Sequence, residues 1–141
     1  MFELREAAVL LGLPLSAAAR TSDVAYLEFI ERGLSVRTLE KLSAFLAPED
    51  SSFKYRIVPK ASLARVERRL SRTQSVLVAR VASVWAQALR IWKSEETTRE
   101  FLFRAHPMLN GRKPIDLVLE SEIGADLVRG LLGRIEAGVA A

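Results

Sequence analysis

The chain has 141 residues, half of them hydrophobic, with no cysteine, one histidine and a formal charge of +4. That length holds one domain or two very small ones, and the apolar content excludes disorder over the whole chain. With no cysteine there is no disulfide framework and no thiolate metal site, and no apolar run approaches the ~20 residues that span a bilayer. A cytoplasmic location with no membrane contact is the expectation.

The charge is unevenly spread. Between Lys54 and Arg72 stand seven basic residues (Lys54, Arg56, Lys60, Arg65, Arg68, Arg69 and Arg72) against the single acid Glu67, a local +6 that leaves −2 elsewhere. A cationic block in an otherwise near-neutral protein points to a phosphate-bearing partner at one place.

The first stretch, Ala7 to Ala19, is apolar, and Ala17-Ala18-Ala19 imitates a cleavage site. Glu3 and Glu6 outweigh Arg5, however, and Gly12-Leu13-Pro14 interrupts the run, so a short helix from Glu3 to Leu11 followed by a turn is expected, not a secretory signal. Ser22 should cap a helix from Asp23 to Arg32, with Gly33 as the residue that ends it. Ser35 should cap a second helix, Val36 to Leu46, closed by Pro48. A short turn or helix opens at Asp50 or Ser51 and runs to Arg56. Ile57-Val58-Pro59 reads as extended, because a residue before proline avoids the α region. Pro59 then leads a helix from Lys60 to Arg69.

Ser71-Arg72-Thr73-Gln74 has the capping-box pattern and opens the longest helix, to Trp92. On a wheel, Leu77, Val78, Val81, Val84, Trp85, Ala88, Leu89 and Trp92 share one broad face, with Ser75, Arg80, Ser83, Gln87 and Arg90 mainly opposite. This is the expected central spine. Ser94 caps a helix from Glu95 to Arg104, with two acids in the first turn where the helix dipole favours them. Asn110-Gly111 marks a turn, Pro114 starts a short helix over Ile115 to Leu119, and Ser121 caps the last helix, Glu122 to Ala137, ended by Gly138. The chain thus reads as all-α and multi-helical, divided into an N-terminal region, residues 1–92, and a C-terminal one, residues 93–141.

Two places carry functional signals. Short helices with tight turns around the basic block suit a helix-turn-helix reader of DNA. Lys60, Ser62 and Arg65 would reach phosphates or base edges, with Arg68, Arg69 and Arg72 on the backbone and Arg56 completing the set, while Leu63 and Val66 pack inward. In the last helix, Ile123, Leu127, Val128, Leu131, Leu132 and Ile135 fill half the wheel, opposite Glu122, Asp126, Arg129 and Glu136; Arg134 falls at the edge. Gly124, Gly130 and Gly133 are costly inside a helix, by about 1 kcal/mol each against alanine. Packing of this helix on the spine accounts for Gly124. For Gly130 and Gly133 together, close approach of a partner is the better explanation.

Nothing in the chain assembles catalysis. His106 before Pro107 reads as a turn residue, the carboxylate pairs Glu49/Asp50 and Glu95/Glu96 fall at turn and helix-start positions, and no metal-ligand or nucleotide-binding glycine spacing occurs. No enzyme, cofactor or metal is expected.

Leu109, Gly111, Pro114, Leu117, Gly124, Val128, Leu132, Ile135, Glu136 and Gly138, in this order and spacing, resemble the toxin-binding domain of the Xre/MbcA/ParS antitoxin family. The segment Pro59, Lys60, Ser62, Leu63, Arg65 and then Leu70-Ser71-Arg72-Thr73-Gln74-Ser75 is similar to the family's Xre-type helix-turn-helix region. Val66 and Glu67 stand where the family commonly has arginines, and Phe101-Leu102 where it often has Trp-Leu. The likeness covers residues 55–141; residues 1–54 match only in being helical. It implies an antitoxin that occludes a cognate toxin, either a RES-domain protein that consumes NAD or a relative of ADP-ribosyltransferases, through Leu132, Arg134, Ile135, Glu136, Gly138 and Val139. It also implies an operator-binding homodimer that forms a larger complex with the toxin. The rival reading is a stand-alone helix-turn-helix regulator whose terminal domain serves dimerisation or sensing.

Overall fold

The computed structural model describes residues 11–12 and 23–138. The helix expected from Glu3 (Leu11 aside), the cap at Ser22 and the toxin contact at Val139 lie outside that range. The described residues form eight α-helices and no strand: α1 (Asp23–Arg32), α2 (Val36–Leu46), α3 (Lys54–Ile57), α4 (Lys60–Ala64), α5 (Arg72–Trp92), α6 (Glu95–Phe103), α7 (Pro114–Glu120) and α8 (Glu122–Glu136). A 3-10 turn, Pro107–Leu109, lies between α6 and α7. The chain divides into two units, residues 1–83 and 84–141, with the boundary inside α5.

In the first unit the corner between α1 and α2 organises the rest. Gly33 has φ +99°, and a Cβ there would stand 2.4 Å from the Leu70 carbonyl oxygen, so only glycine fits. The Leu70 N–H donates to the Leu34 carbonyl at 2.7 Å. The Leu34 N–H, in turn, donates to Ser75 Oγ at 2.8 Å, with both residues buried. Arg69 Nη1 donates to the Gly33 carbonyl at 3.0 Å, and Ser35 and Arg69 form an isolated antiparallel bridge. The helix expected over Lys60 to Arg69 is shorter. It stops at Ala64, where the Arg65 and Val66 N–H groups tighten onto the Ser62 and Leu63 carbonyls, and residues 65–70 run as a loop whose far end, Arg69 and Leu70, is held at the α1–α2 corner.

Local rules set the helix starts. Ser71 Oγ accepts from the Gln74 N–H while Gln74 Oε1 accepts from the Ser71 N–H, the reciprocal pair that opens α5. Ser35 makes no such cap; Thr38 Oγ1 donates to its carbonyl instead. Val58 and Pro59 are extended between α3 and α4. Around them Phe53, Ile57 and Val58 join Leu39, Leu42 and Leu46 among the buried residues.

The wheel of α5 understated how deeply it is buried. Every residue from Val81 to Ala88 is buried, and so are Ser75, Ser83 and Gln87 from the side expected to face out. Polar side chains are tolerated there because each has a partner: Ser75 takes the Leu34 N–H, Ser83 Oγ donates to the Arg80 carbonyl, and Gln87 Nε2 donates to the Arg129 carbonyl.

In the second unit, Ser94 Oγ accepts from the Thr97 N–H to cap α6. Trp92 and Phe101 stack with centroids 4.9 Å apart, and His106 meets Phe101 edge-on. His106 is a turn residue: its Nδ1 accepts from the Met108 N–H, and its backbone N–H donates to the Arg112 carbonyl. Asn110 takes the left-handed conformation, φ 55°, to end the 3-10 turn. Pro114 is the first residue of α7, where its missing N–H costs nothing. An extended Ser121 separates α7 from α8, and its Oγ accepts from the Gly124 N–H. The two helices meet so tightly that a Cβ on Gly124 would lie 2.1 Å from the Leu117 carbonyl oxygen. Gly124 therefore serves internal packing, against α7 rather than the spine.

Candidate functional site

The last helix is amphipathic in a different way from its sequence wheel. Gly124, Ala125, Val128, Leu131 and Leu132 are buried, and Ile135 is half-buried. Ile123 and Leu127, from the same apolar half, are 75% and 54% exposed. The wheel offered more apolar surface than one neighbour covers, and the surplus faces out. Leu132, expected to meet a partner, is fully buried, because it lies on the side of α8 turned to the core. It holds the helix in place. Arg134, Glu136 and Gly138 are exposed.

The outer face also carries Gly130 and Gly133. A Cβ at either would meet no atom within 4 Å, so nothing inside the chain requires glycine there. Around them the charges are arranged. Arg129 Nη1 bonds Glu122 at 2.8 Å and Asp126 at 2.9 Å, so one guanidinium bridges two carboxylates on one flank of the helix and leaves it net acidic. Glu136 pairs with Arg90 of α5 at 3.1 Å, tying the end of α8 to the start of the unit. Arg134 makes no ion pair among the described residues. Gly138 ends the helix with φ +78°, its N–H donating to the Ile135 carbonyl, so the chain turns out of the helix at that point.

In the first unit the expected DNA residues divide into two groups. Arg56, Lys60, Arg65, Arg68 and Arg72 are exposed on α3, α4, the loop and the first turn of α5, and Ser62 is half-buried. Arg69 has its guanidinium on the Gly33 carbonyl, so its charge serves the α1–α2 corner first. Arg72 opens α5, a position where the helix dipole disfavours a cation. Leu63 and Val66 are half-buried. Tyr55 was not foreseen: Lys54 Nζ and Lys60 Nζ lie 5.5 and 5.8 Å from its ring centroid, which brings two ammonium groups and a phenol together. The sequence signal for it was the Lys-Tyr-Arg run inside the basic block. Ile123 and Leu127 were the other residues missed as surface, since a wheel cannot say which part of an apolar arc is covered.

Among its described residues the second unit is all-helical and ends in a capped helix with an exposed outer face. Residues 87–138 match the family described as the antitoxin Xre/MbcA/ParS C-terminal toxin-binding domain, a span that runs from the second half of α5 to the end of α8. The match covers 52 of the 141 residues and lies wholly within the second unit, residues 84–141, so it is this unit that is similar to an antitoxin's toxin-binding domain. A comparison with curated proteins returns no match.

Proposed function

We propose that the chain is an antitoxin that neutralises a NAD-consuming RES-type toxin by seating the end of α8 and the residues after it against the toxin's active site. The observation that carries the reading is the pair Gly130 and Gly133 on the open face of a toxin-binding domain. Each glycine costs about 1 kcal/mol against alanine in a helix interior, with no internal contact to offset it. A partner backbone approaching α8 supplies the reason. Arg134, Ile135, Glu136 and Gly138 then form the toxin-facing end, continued by Val139. Leu132 contributes by holding the helix from behind.

We further propose that the antitoxin binds its own operator through Arg56, Lys60, Ser62, Arg65, Arg68 and Arg72, with Arg69 bracing the loop. It acts as a dimer, because a two-fold protein matches a palindromic site. The exposed cations and the dipole-opposed Arg72 support this reading.

The test is co-purification with the product of the adjoining reading frame, with NAD loss assayed before and after separation. A stable, inactive complex whose partner consumes NAD alone supports the neutralisation of a RES-type toxin. A complex without NAD loss on separation rejects the RES-type chemistry. Removal of residues 138–141 should relieve inhibition and leave the fold intact; full neutralisation by the shortened chain rejects the occlusion.

A further inference from the structure

The second unit buries its large apolar side chains well: Leu102, Ile115, Val118, Val128, Leu131 and Leu132 are all at or below 1% exposure. Against that background Met108, Ile123 and Leu127 are the exposed large apolar residues of the described unit, and the last two share one helix. They are four residues apart on α8, which places them on one face. Gly130 and Arg134 continue the same line, and the four positions fall within an arc of about 60° on a helical wheel. The stripe is apolar at its start, bare of side chain at Gly130, and cationic at its end. One flank carries the Glu122–Arg129–Asp126 cluster, in which a single guanidinium bridges two carboxylates, so the stripe is bordered there by a paired, net acidic cluster.

We infer that the cognate toxin is held along the Ile123–Leu127–Gly130–Arg134 stripe, with the apolar pair Ile123 and Leu127 forming a grip distinct from the occluding end of the chain, which the stripe reaches through Gly130 and Arg134. The inference rests on the antitoxin reading above. The occupant is the toxin because the stripe lies wholly within the residues that match a toxin-binding domain. The partner surface it fits is a groove with an apolar floor for two aliphatic side chains, backbone close enough to use the gap at Gly130, and a carboxylate within reach of Arg134. Ile123 lies fifteen residues before Gly138, about 22 Å along a helix at 1.5 Å per residue. Contacts at the two ends therefore involve different parts of the toxin, so affinity and inhibition can be lost separately.

The experiment uses the full chain and the purified product of the adjoining reading frame, with affinity measured by calorimetry and self-association by light scattering. Leu127→Asp and Ile123→Asp change exposed side chains, so their thermal unfolding should match the parent chain. Each should weaken the complex by at least about 30-fold, the level of an interface hot spot. Removal of residues 138–141 should keep the affinity within a few-fold and abolish inhibition. If the parent chain forms no complex, the antitoxin reading itself fails. If the parent binds and both aspartate variants bind equally well, the stripe inference is overturned while the proposed function stands. If the variants lose self-association and keep toxin affinity, the stripe belongs to a second copy of this chain, which also overturns the inference.

Discussion

Replacing Gly130 and Gly133 together by alanine separates stability from function in a single variant. Both glycines lie inside α8, both are exposed, and neither has a positive φ. A methyl group at either would meet no atom within 4 Å. The helix-propensity gain is about 1 kcal/mol per site, so the double variant should be about 2 kcal/mol more stable. For a chain of this size that corresponds to a rise in Tm of roughly 5–10 °C. The added methyl groups would fill the space that a partner backbone uses, so toxin affinity should fall by about tenfold or more, the range of 1–3 kcal/mol for overpacking a close contact. Calorimetric melting of the free chain and titration of the toxin read the two effects independently. A variant that melts higher and binds as tightly as the parent refutes the argument that a partner accounts for these glycines. A variant that melts lower refutes the geometry of an open outer face.

The remaining predictions address the frame and the other surface. Gly124→Ala should lower stability by about 3 kcal/mol, because the new Cβ meets the Leu117 carbonyl, a backbone atom that cannot swing away; an unchanged melting curve would mean that the α7–α8 corner is looser than 2.1 Å implies. Ser75→Ala leaves the buried Leu34 N–H without its acceptor and should cost about 1–3 kcal/mol, read by urea unfolding. Lys60→Ala with Arg65→Ala should weaken operator binding and flatten its salt dependence by about two counterions, leaving neutralisation intact; an unaltered slope moves the DNA surface elsewhere. Burial holds the Tyr26 phenol well above its ordinary value, so its folded pKa is the raised one. Its contribution is fully present below about pH 10 and is lost as pH rises beyond that. Tyr26→Phe should remove this alkaline loss. At neutral pH it should cost little, since the hydroxyl has no hydrogen-bond partner among the described residues.

Much of the fold was legible because its punctuation is local. The Ser71–Gln74 pair, the Ser94 and Ser121 caps, Gly33 and Pro114 each act within a few residues, and each sits where its chemistry requires. The loop after α4 was not legible, because what holds its far end is distant. Leu70 and Arg69 are held by Leu34 and Gly33, about 36 residues away in the chain, and no pattern around Arg65 announces it. The buried polar side of α5 was hidden for the same reason: Ser75 and Gln87 look like solvent-facing residues until Leu34 and Arg129 are known to meet them.

The site residues follow the same logic one level up. Periodicity located the apolar half of α8, and that half is real, but burial is decided by how much of it α7 and the rest of the unit cover. The tight joint at Gly124 brings α8 against the Leu117 carbonyl and so fixes which side turns inward. Val128, Leu131 and Leu132 follow on that side, and the opposite edge of the apolar arc, Ile123 and Leu127, is left in solvent. The glycine that looks functionless thus sets the rotation of the helix that presents the proposed binding surface. The two glycines that look structurally careless lie on the face so presented. A toxin that reads this face reads the rotation as well, so strain at Gly124 should weaken binding even when the outer residues are untouched.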